Sequence, residues 1–189
     1  EKVTLHVGAG TFKPVSSLTL AEHEMHVEKI VVSLTSLKHL QKKLADPIIP
    51  VGTTSMRTLE SLFWMAVRLT QGDFSFSVSQ WDPYDLVVPE HFSSEKALNL
   101  LIQYLEDHQL SELTGQTQLM IAPGYRFRFA NGLITNFHQP KSTLLLLVSA
   151  LIGESWKSAY DFALAHDYRF LSYGDSCLML PHVPSNSDH

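Results

Sequence analysis

Residues 25–67 of the chain read MHVEKIVVSLTSLKHLQKKLADPIIPVGTTSMRTLESLFWMAV, and their apolar side chains change period along the segment. The alternation of polar and apolar residues over residues 25–32 predicts a strand. Leucines at helical spacing over residues 37–44 predict a short helix. Residues 48–51 follow as a short buried strand, and residues 59–66 as a second helix. The order strand, helix, strand, helix indicates an α/β fold with a mixed, partly parallel sheet flanked by helices.

The flanking segments add further predicted elements. Alternation from Val3 to Val7 indicates a strand, and a serine-capped helix is expected to carry an apolar stripe from Ala97 to Leu105. A strand is expected over residues 117–122. The dipeptide Asn131-Gly132 is a strong hairpin signal between two short strands.

The C-terminal third of the chain is its most apolar part. Residues 144–152 form a helix that is apolar on all sides and is therefore expected to be buried. A further helix is predicted over residues 156–163 and a final strand over residues 168–171. We expect residues 1–180 to form one portion of an α/β domain, and residues 181–189 to be a frayed polar tail.

Composition limits the class of protein. With 44% hydrophobic and 17% charged residues in a chain of 189, global disorder is excluded. The net charge of −5 offers no broad basic surface, so any RNA partner has to be held by a local patch. The single cysteine, Cys177, excludes a disulfide scaffold and fits a cytoplasmic protein. Because the sequence does not begin with methionine, we expect it to be a fragment.

Two N-terminal motifs are candidates for chemistry. Gly8-Ala9-Gly10-Thr11 follows a predicted strand and would let a ligand approach the backbone, although a plain tight turn is the alternative. His23, His26 and Glu28 resemble a set of metal ligands. On a strand, however, His23 would point away from the other two, so no metal site is predicted. His26 and Glu28 remain candidates for a hydrogen-bonded acid/base pair.

A hydroxyl-rich turn, Gly52-Thr53-Thr54-Ser55, lies between a predicted strand and a predicted helix. Free N–H groups and the positive end of the helix dipole suit an anion or a carboxylate there. Ordinary helix capping is the alternative. It does not explain Arg57, a cation placed where the helix dipole opposes it.

Polar side chains also gather before the apolar helix and after the last predicted strand. Residues 136–143 read NFHQPKST and combine a histidine, an amide, a lysine and two hydroxyls. The alternative is a polar connector in which Ser142 or Thr143 caps the helix. Tyr173-Gly174-Asp175 follows a predicted strand, where α/β sheets place ligand groups, and an aspartate turn is the alternative.

Taken in order, these segments resemble the S-adenosylmethionine:tRNA ribosyltransferase-isomerase family of queuosine biosynthesis, from about Val3 to Leu180. The matching segments are Leu5-His6-Val7-Gly8-Ala9-Gly10-Thr11-Phe12, His23-Glu24-Met25-His26-Val27-Glu28, Val51-Gly52-Thr53-Thr54 with Arg57, Leu59 and Glu60, Pro123-Gly124-Tyr125-Arg126-Phe127, Asn136-Phe137-His138 with Pro140, Lys141, Ser142, Thr143 and Leu144, and Tyr168-Arg169-Phe170-Leu171-Ser172-Tyr173-Gly174-Asp175.

The resemblance implies a specific reaction. The family transfers and isomerises the ribosyl part of S-adenosylmethionine onto 7-aminomethyl-7-deazaguanine in the tRNA anticodon loop. The product is epoxyqueuosine-tRNA, and adenine and methionine are released. No metal or cofactor is implied beyond S-adenosylmethionine, which is a substrate. The family has an α/β main domain and a small β-barrel. This chain resembles only the C-terminal part of the main domain, so the missing N-terminal part is an expected partner.

Two functions are therefore open. The first is the family's transferase activity. The second is a truncated, noncatalytic fragment that binds S-adenosylmethionine or tRNA. A generic nucleotide-binding α/β hydrolase is a weaker third reading, because the sequence has neither a P-loop nor a nucleophile elbow.

The resemblance also implies site residues. The hydrogen beside the sulfonium is acidic, so a general base is required. His138 is favoured, with a pKa lowered by the adjacent helix terminus and Lys141. The other candidates for catalysis are Asp175, which could be a protonated acid, His26 with Glu28, and His6. The methionine carboxylate is expected at Gly52–Ser55 with Arg57.

Further residues are expected to bind substrate or RNA. Tyr125, Phe127 or Tyr173 could stack on a base. Lys141 is a further cation that could bind tRNA phosphates. The expected substrate-binding residues are His6, Gly8, Gly10, Thr11, Thr53, Thr54, Arg57, Tyr125, Asn136, Lys141, Ser142, Thr143 and Tyr173. Those expected to bind tRNA phosphates are Lys13, Arg126, Arg128 and Arg169.

Overall fold

The computed structural model describes the backbone of residues 4–6 and all of residues 24–181. The elements, in chain order, are β1 (Thr4–His6), β2 (Glu28–Ser33), α1 (Leu34–Lys42), α2 (Thr53–Thr70), β3 (Ser77–Val78), α3 (Asp82–Asp85), α4 (Ser94–Asp107), β4 (Glu112–Thr117), β5 (Leu133–Asn136), α5 (Thr143–Ile152), α6 (Ser155–Ala165) and β6 (Ser176–Met179).

The strands form one mixed sheet and one small antiparallel sheet. The larger sheet has four strands in the order β1-β2-β4-β3, in which β3 and β4 run parallel and the other pairs antiparallel. The second sheet pairs β5 with β6. A parallel bridge between Val51 and Ile134 connects the start of α2 to β5. The predicted fold class, an α/β fold with a partly parallel sheet flanked by helices, is confirmed.

The core is built around α2, which is buried on more than one face. Phe63, Trp64 and Met65 are almost completely buried in its middle, and α4 packs beside it. From the sheet, Ile30 and Val32 of β2 face the same core, as their alternation predicts. Each large apolar side chain buried in this way stabilises the fold by about 1.5–3 kcal/mol.

Serine side chains fix the starts of three helices. The Oγ atom of Ser33 accepts a hydrogen bond from the Ser36 N–H group, and Ser93 and Ser142 cap α4 and α5 in the same way. The predicted caps of α4 and α5 are therefore confirmed. The cap of α1 is Ser33.

Two predicted strands are not found where the sequence places them. Residues 48–51 are not a buried strand, because Pro50 has no N–H group to pair, and Val51 is 66% exposed and makes a single bridge. The strand expected over residues 117–122 shares only Thr117 with β4, so the prediction is wrong for residues 118–122. Gly115 interrupts the alternation of polar and apolar residues in β4, so the sequence pattern does not reveal this strand. A Cβ atom on Gly115 would lie 2.4 Å from the Phe76 carbonyl oxygen, so glycine is required there.

The predicted hairpin at Asn131-Gly132 is wrong. Asn131 instead bonds to Ile48 through its side-chain oxygen and its N–H group. Gly132 is needed for close packing, because a Cβ atom there would lie 2.8 Å from the Leu180 side chain. β5 pairs with β6 instead. β6 is also the final strand, and residues 168–171, where that strand was expected, form a loop.

Helix α5 is buried on one side only. Leu145, Leu147, Val148 and Leu151 face the core, whereas the remaining side chains are half-buried, contrary to the expectation for a helix apolar on all sides. In the described part of the chain, no helix has both the length and the apolar character needed to cross a membrane. Residues 182–189 of the predicted tail lie outside the described residues.

Candidate functional site

A cavity of about 640 Å³ opens where α2 and α5 begin. It brings together two of the segments singled out by the sequence, the threonine turn and the connector that contains His138. The loop before β6 completes the wall. The residues that line it are Val51, Gly52, Thr53, Thr54, Ser55, Thr135, Asn136, His138, Gln139, Pro140, Ser142, Leu144, Leu171 and Ser172.

The first wall is the N-terminus of α2. Gly52 adopts φ +89°, a conformation that side-chain-bearing residues rarely adopt, and no side chain in the described part of the chain caps the helix. The N–H group of Met56 is bonded to the Gly52 carbonyl, so the preceding N–H groups of Thr53, Thr54 and Ser55 have no partner within the helix. The positive end of a helix of 18 residues therefore faces the cavity.

The second wall is the connector into α5. Ser142 donates to the Gln139 carbonyl and accepts from the Leu145 N–H group, so it is the helix cap. Thr143 is the half-buried first residue of α5, and Lys141 is exposed with φ +57°. A second helix therefore begins at the same cavity.

His138 is the titratable group of the cavity wall. It is 8% exposed, and its Nε2 atom lies 2.9 Å from the Thr135 hydroxyl oxygen. The Tyr160 hydroxyl accepts a hydrogen bond from the backbone N–H group of His138. Burial lowers the pKa of His138 from 6.5 to about 4. The expected direction of the shift is confirmed, but its cause is burial rather than Lys141 or the helix terminus.

The loop before β6 is closed by an ion pair. Asp175 accepts a hydrogen bond of 2.8 Å from the Arg169 N–H group, and its other oxygen lies 3.1 Å from Arg169 Nη2. Asn136 ties the loop to β5 by donating to the Gly174 and Asp175 carbonyls. The arginine lowers the pKa of Asp175. The prediction that Asp175 is held protonated as an acid is therefore wrong, and Arg169 is paired rather than free for phosphates.

Arg57 does not serve the threonine turn. It lies one turn further along α2, where Nη1 is 3.2 Å from Glu28 Oε1 and Nε donates to the Leu119 carbonyl. Both charged side chains are almost completely buried. The predicted contact of Arg57 with a substrate carboxylate is wrong. So is the predicted pair of His26 with Glu28, because His26 is exposed and makes no hydrogen bond to that carboxylate.

Tyr125 is a core residue rather than a stacking surface. It is 6% exposed, its hydroxyl donates to Glu60 Oε2 over 2.9 Å, and it accepts from Trp64 Nε1. Phe127, the second stacking candidate, is half-buried with its ring edge against Tyr125.

Glu60 is a completely buried carboxylate to which the sequence analysis assigned no role. Its carboxylate also accepts hydrogen bonds from the backbone N–H groups of Arg128, Phe129 and Ala130. The guanidinium of Arg128 lies 4.5 Å from the centre of the Phe63 ring, so this residue is packed rather than free to bind phosphate, whereas Arg126 is exposed. The signal available in the sequence was an acidic residue in the middle of an apolar helix.

None of the remaining candidates is among the described residues that line the cavity. His6 ends β1 opposite Lys29 of β2. Gly8, Gly10, Thr11 and Lys13 lie outside the described residues. Tyr173 is 98% exposed.

Comparison with known proteins decides the family. Residues 1–179 match the family described as queuosine biosynthesis protein. The chain belongs to this family. It is 38% identical over 183 residues to the S-adenosylmethionine:tRNA ribosyltransferase-isomerase of Cereibacter sphaeroides, covering 95% of this chain and 41% of that protein. The protein of the same name from Rhizorhabdus wittichii is 39% identical over 184 residues, with 96% and 42% covered.

A solved structure of this family shares the fold. The crystal structure of S-adenosylmethionine tRNA ribosyltransferase from Thermotoga maritima aligns with a TM-score of 0.52 and 30% sequence identity. The alignment covers 81% of this chain and 40% of that one. The chain thus spans about two fifths of the length of the family members that it matches.

Proposed function

We propose that the chain carries part or all of the ribosyltransferase-isomerase activity after which its relatives are named. In that reaction the ribosyl part of S-adenosylmethionine is transferred to 7-aminomethyl-7-deazaguanine in tRNA and isomerised. The product is epoxyqueuosine-tRNA, with adenine and methionine released. The observation that supports the proposal is the cavity in which a buried, neutral His138 lies beside the uncapped start of α2. No cofactor is proposed beyond S-adenosylmethionine itself.

The start of α2 suits the carboxylate of the methionine part. Thr53, Thr54 and Ser55 offer N–H groups with no partner in the helix, and the helix dipole favours a negative group by about 0.3–1 kcal/mol. No side chain among the residues that line this cavity carries a formal negative charge, so nothing there competes for those donors. Arg57 has no part in this contact.

His138 suits the role of general base. The sulfonium acidifies the hydrogen on the adjacent sugar carbon, and a base has to accept that proton within hydrogen-bond distance. The low pKa keeps the imidazole unprotonated at neutral pH, which is the form that accepts a proton. The contact with the Thr135 hydroxyl holds the ring in one orientation.

The RNA part of the proposal depends on few cations. Arg126 and Lys141 are exposed and available for phosphates of the anticodon loop. A net charge of −5 gives no further electrostatic attraction to RNA.

A noncatalytic binding fragment is the second candidate. The observation that favours it is the coverage, since the chain spans about two fifths of its relatives and their activity belongs to the longer proteins. In this case the cavity binds S-adenosylmethionine, and turnover requires the rest of the family's chain.

One experiment separates the two candidates. The chain is incubated with S-adenosylmethionine and a tRNA that carries 7-aminomethyl-7-deazaguanine, with the same tRNA carrying guanine as the control, and free adenine is measured. Adenine release only with the modified tRNA supports the transferase. Binding of S-adenosylmethionine without release, and release once the rest of a relative's chain is added, supports the fragment. Absence of binding contradicts both.

A further inference from the structure

The loop of residues 169–175 is held more rigidly than a surface turn needs. Arg169 and Asp175 are joined by the ion pair and by two backbone contacts of 2.8 Å, in which each residue's N–H group bonds to the other residue. Leu171 is held at φ +69° while its N–H group bonds to the Phe137 carbonyl. Such a conformation in a side-chain-bearing residue costs about 1–2 kcal/mol, so the surrounding contacts must enforce it.

Gly174 shows how tightly the loop closes. A Cβ atom on this residue would lie 2.3 Å from the Arg169 carbonyl oxygen, which no side-chain-bearing residue tolerates. Its own carbonyl accepts a hydrogen bond from the Asn136 side chain in β5. The loop is therefore fixed at both ends and anchored to the sheet.

Tyr173 lies in this loop and its side chain projects into solvent. Its side chain is 98% exposed, whereas its neighbours Leu171 and Ser172 line the cavity. An aromatic ring in this position adds nothing to the core, and a rigid loop holds it at the mouth of the proposed active site. An exposed aromatic ring of this kind can stack on a flat ligand such as a nucleobase.

We infer that Tyr173 is a stacking platform for a nucleobase of single-stranded RNA at the mouth of the cavity, and that the Arg169–Asp175 pair positions it. The inference rests on the proposed action on tRNA and adds the residue that contacts a base. Charge favours RNA over a protein partner. The exposed cation Lys141 lies in the connector of the same cavity, two helices direct their positive ends into it, and Arg169 neutralises Asp175.

The test measures RNA binding alone, without S-adenosylmethionine or turnover. The ligand is a fluorescently labelled RNA hairpin with guanine in its single-stranded loop, titrated at low salt and followed by anisotropy. Tyr173→Phe keeps the ring, and its Kd is expected within about twofold of that of the unaltered chain. Tyr173→Ser is expected to weaken binding about tenfold. The matched control is Phe74→Ser, which removes an exposed ring that packs on Tyr104 and does not line the cavity.

The role of the ion pair is tested by a double-mutant cycle. Asp175→Ala should speed hydrogen exchange of the Leu171 and Gly174 amides and weaken RNA binding several-fold. Asp175→Asn, which keeps an acceptor for the Arg169 N–H group, should be milder. The double variant with Tyr173→Ser should bind no worse than Tyr173→Ser alone, because both act through one ring.

Several outcomes overturn the inference. The platform is wrong if the unaltered chain does not bind the hairpin, or if Tyr173→Ser binds as tightly as Tyr173→Phe. It is also wrong if Tyr173→Ser affects only association with the rest of a relative's chain, which would make this ring a protein contact. Additive losses in the cycle exclude Asp175 as a positioning residue. None of these results depends on adenine release, so the proposed function can fail separately.

Discussion

Arg57 Nη1 lies 3.2 Å from Glu28 Oε1, and this contact joins α2 to the start of β2 inside the protein. Both residues are almost completely buried, with 4% of each exposed. Among the described residues, Glu28 Oε2 and Arg57 Nη2 are buried and have no hydrogen-bond partner. Burial lowers the pKa of Arg57, and the neighbouring carboxylate acts in the opposite direction. The pair is therefore a costly structural contact whose members depend on one another.

Removal of one member should destabilise the protein strongly. Arg57→Met leaves an uncompensated buried carboxylate, so the free energy of unfolding is expected to fall by about 3–5 kcal/mol. Glu28→Leu should have a similar effect, because it leaves the buried guanidinium of Arg57 without its counter-charge. The double variant should be more stable than either single variant, because no buried charge remains without a partner. Urea unfolding of the three variants measures this.

Lys29→Ala is the control for the buried pair. It lies next to Glu28 but on the exposed face of β2, and its expected effect is within about 0.5 kcal/mol. A double variant that is as unstable as the sum of the two single variants would show that the residues do not compensate one another.

Glu60 should be as important for stability as any apolar core residue. Glu60→Gln replaces a carboxylate that accepts four hydrogen bonds with an amide whose NH₂ group would face N–H donors. The expected loss in the free energy of unfolding is about 3 kcal/mol. Chemical denaturation measures it, with the exposed Glu95→Gln in α4 as the control. A loss below about 1 kcal/mol would mean that the loop does not depend on the carboxylate.

Local pattern was enough to predict most helices and their caps. The apolar spacing in α2, α4 and α6 is regular, and Ser93 and Ser142 begin α4 and α5 as expected. The threonine turn and the His138 connector could also be found, since hydroxyls concentrated before a helix are a local feature.

Features that depend on distant partners could not be predicted in this way. Residues 168–171 alternate like a strand but form a loop, in which Phe170 packs on Phe137 with ring centres 5.3 Å apart. Glu60 bonds to residues 65 to 70 positions away, so nothing near it in the sequence shows what it holds. Arg57 was misassigned for the same reason, because its partner Glu28 comes from another element.

The burial of His138 should make stability depend on pH. Its pKa is about 4 in the folded protein and ordinarily 6.5, so between these values the unfolded chain binds a proton that the folded protein does not. Stability from this group is therefore fully present above pH 6.5 and is lost as the pH falls toward 4, by about 3 kcal/mol in all.

Unfolding free energies measured across this pH range test the claim. His138→Gln should flatten the curve between pH 6.5 and 4. An unaltered slope in His138→Gln would assign the acid sensitivity to other groups.

His138 is also expected to affect turnover. If it is the general base, His138→Gln should lower the rate of adenine release at least about 100-fold, while binding of S-adenosylmethionine changes little. Single-turnover adenine release and calorimetric binding separate the two effects. Adenine release at the rate of the unaltered chain would remove His138 from this role.

Gly52 and Gly72 form a natural pair for testing the start of α2 as a ligand site. Both have positive φ, +89° and +81°, and a Cβ atom at either position would meet no close neighbour. Alanine at either position should therefore cost a similar amount, about 1 kcal/mol, for backbone reasons alone. Only Gly52 lies at the cavity, directly before the N–H groups proposed to bind a carboxylate. Gly52→Ala should weaken S-adenosylmethionine binding several-fold, and Gly72→Ala should leave it unchanged. Equal stability losses with equal affinities would show that the start of α2 does not contact the ligand.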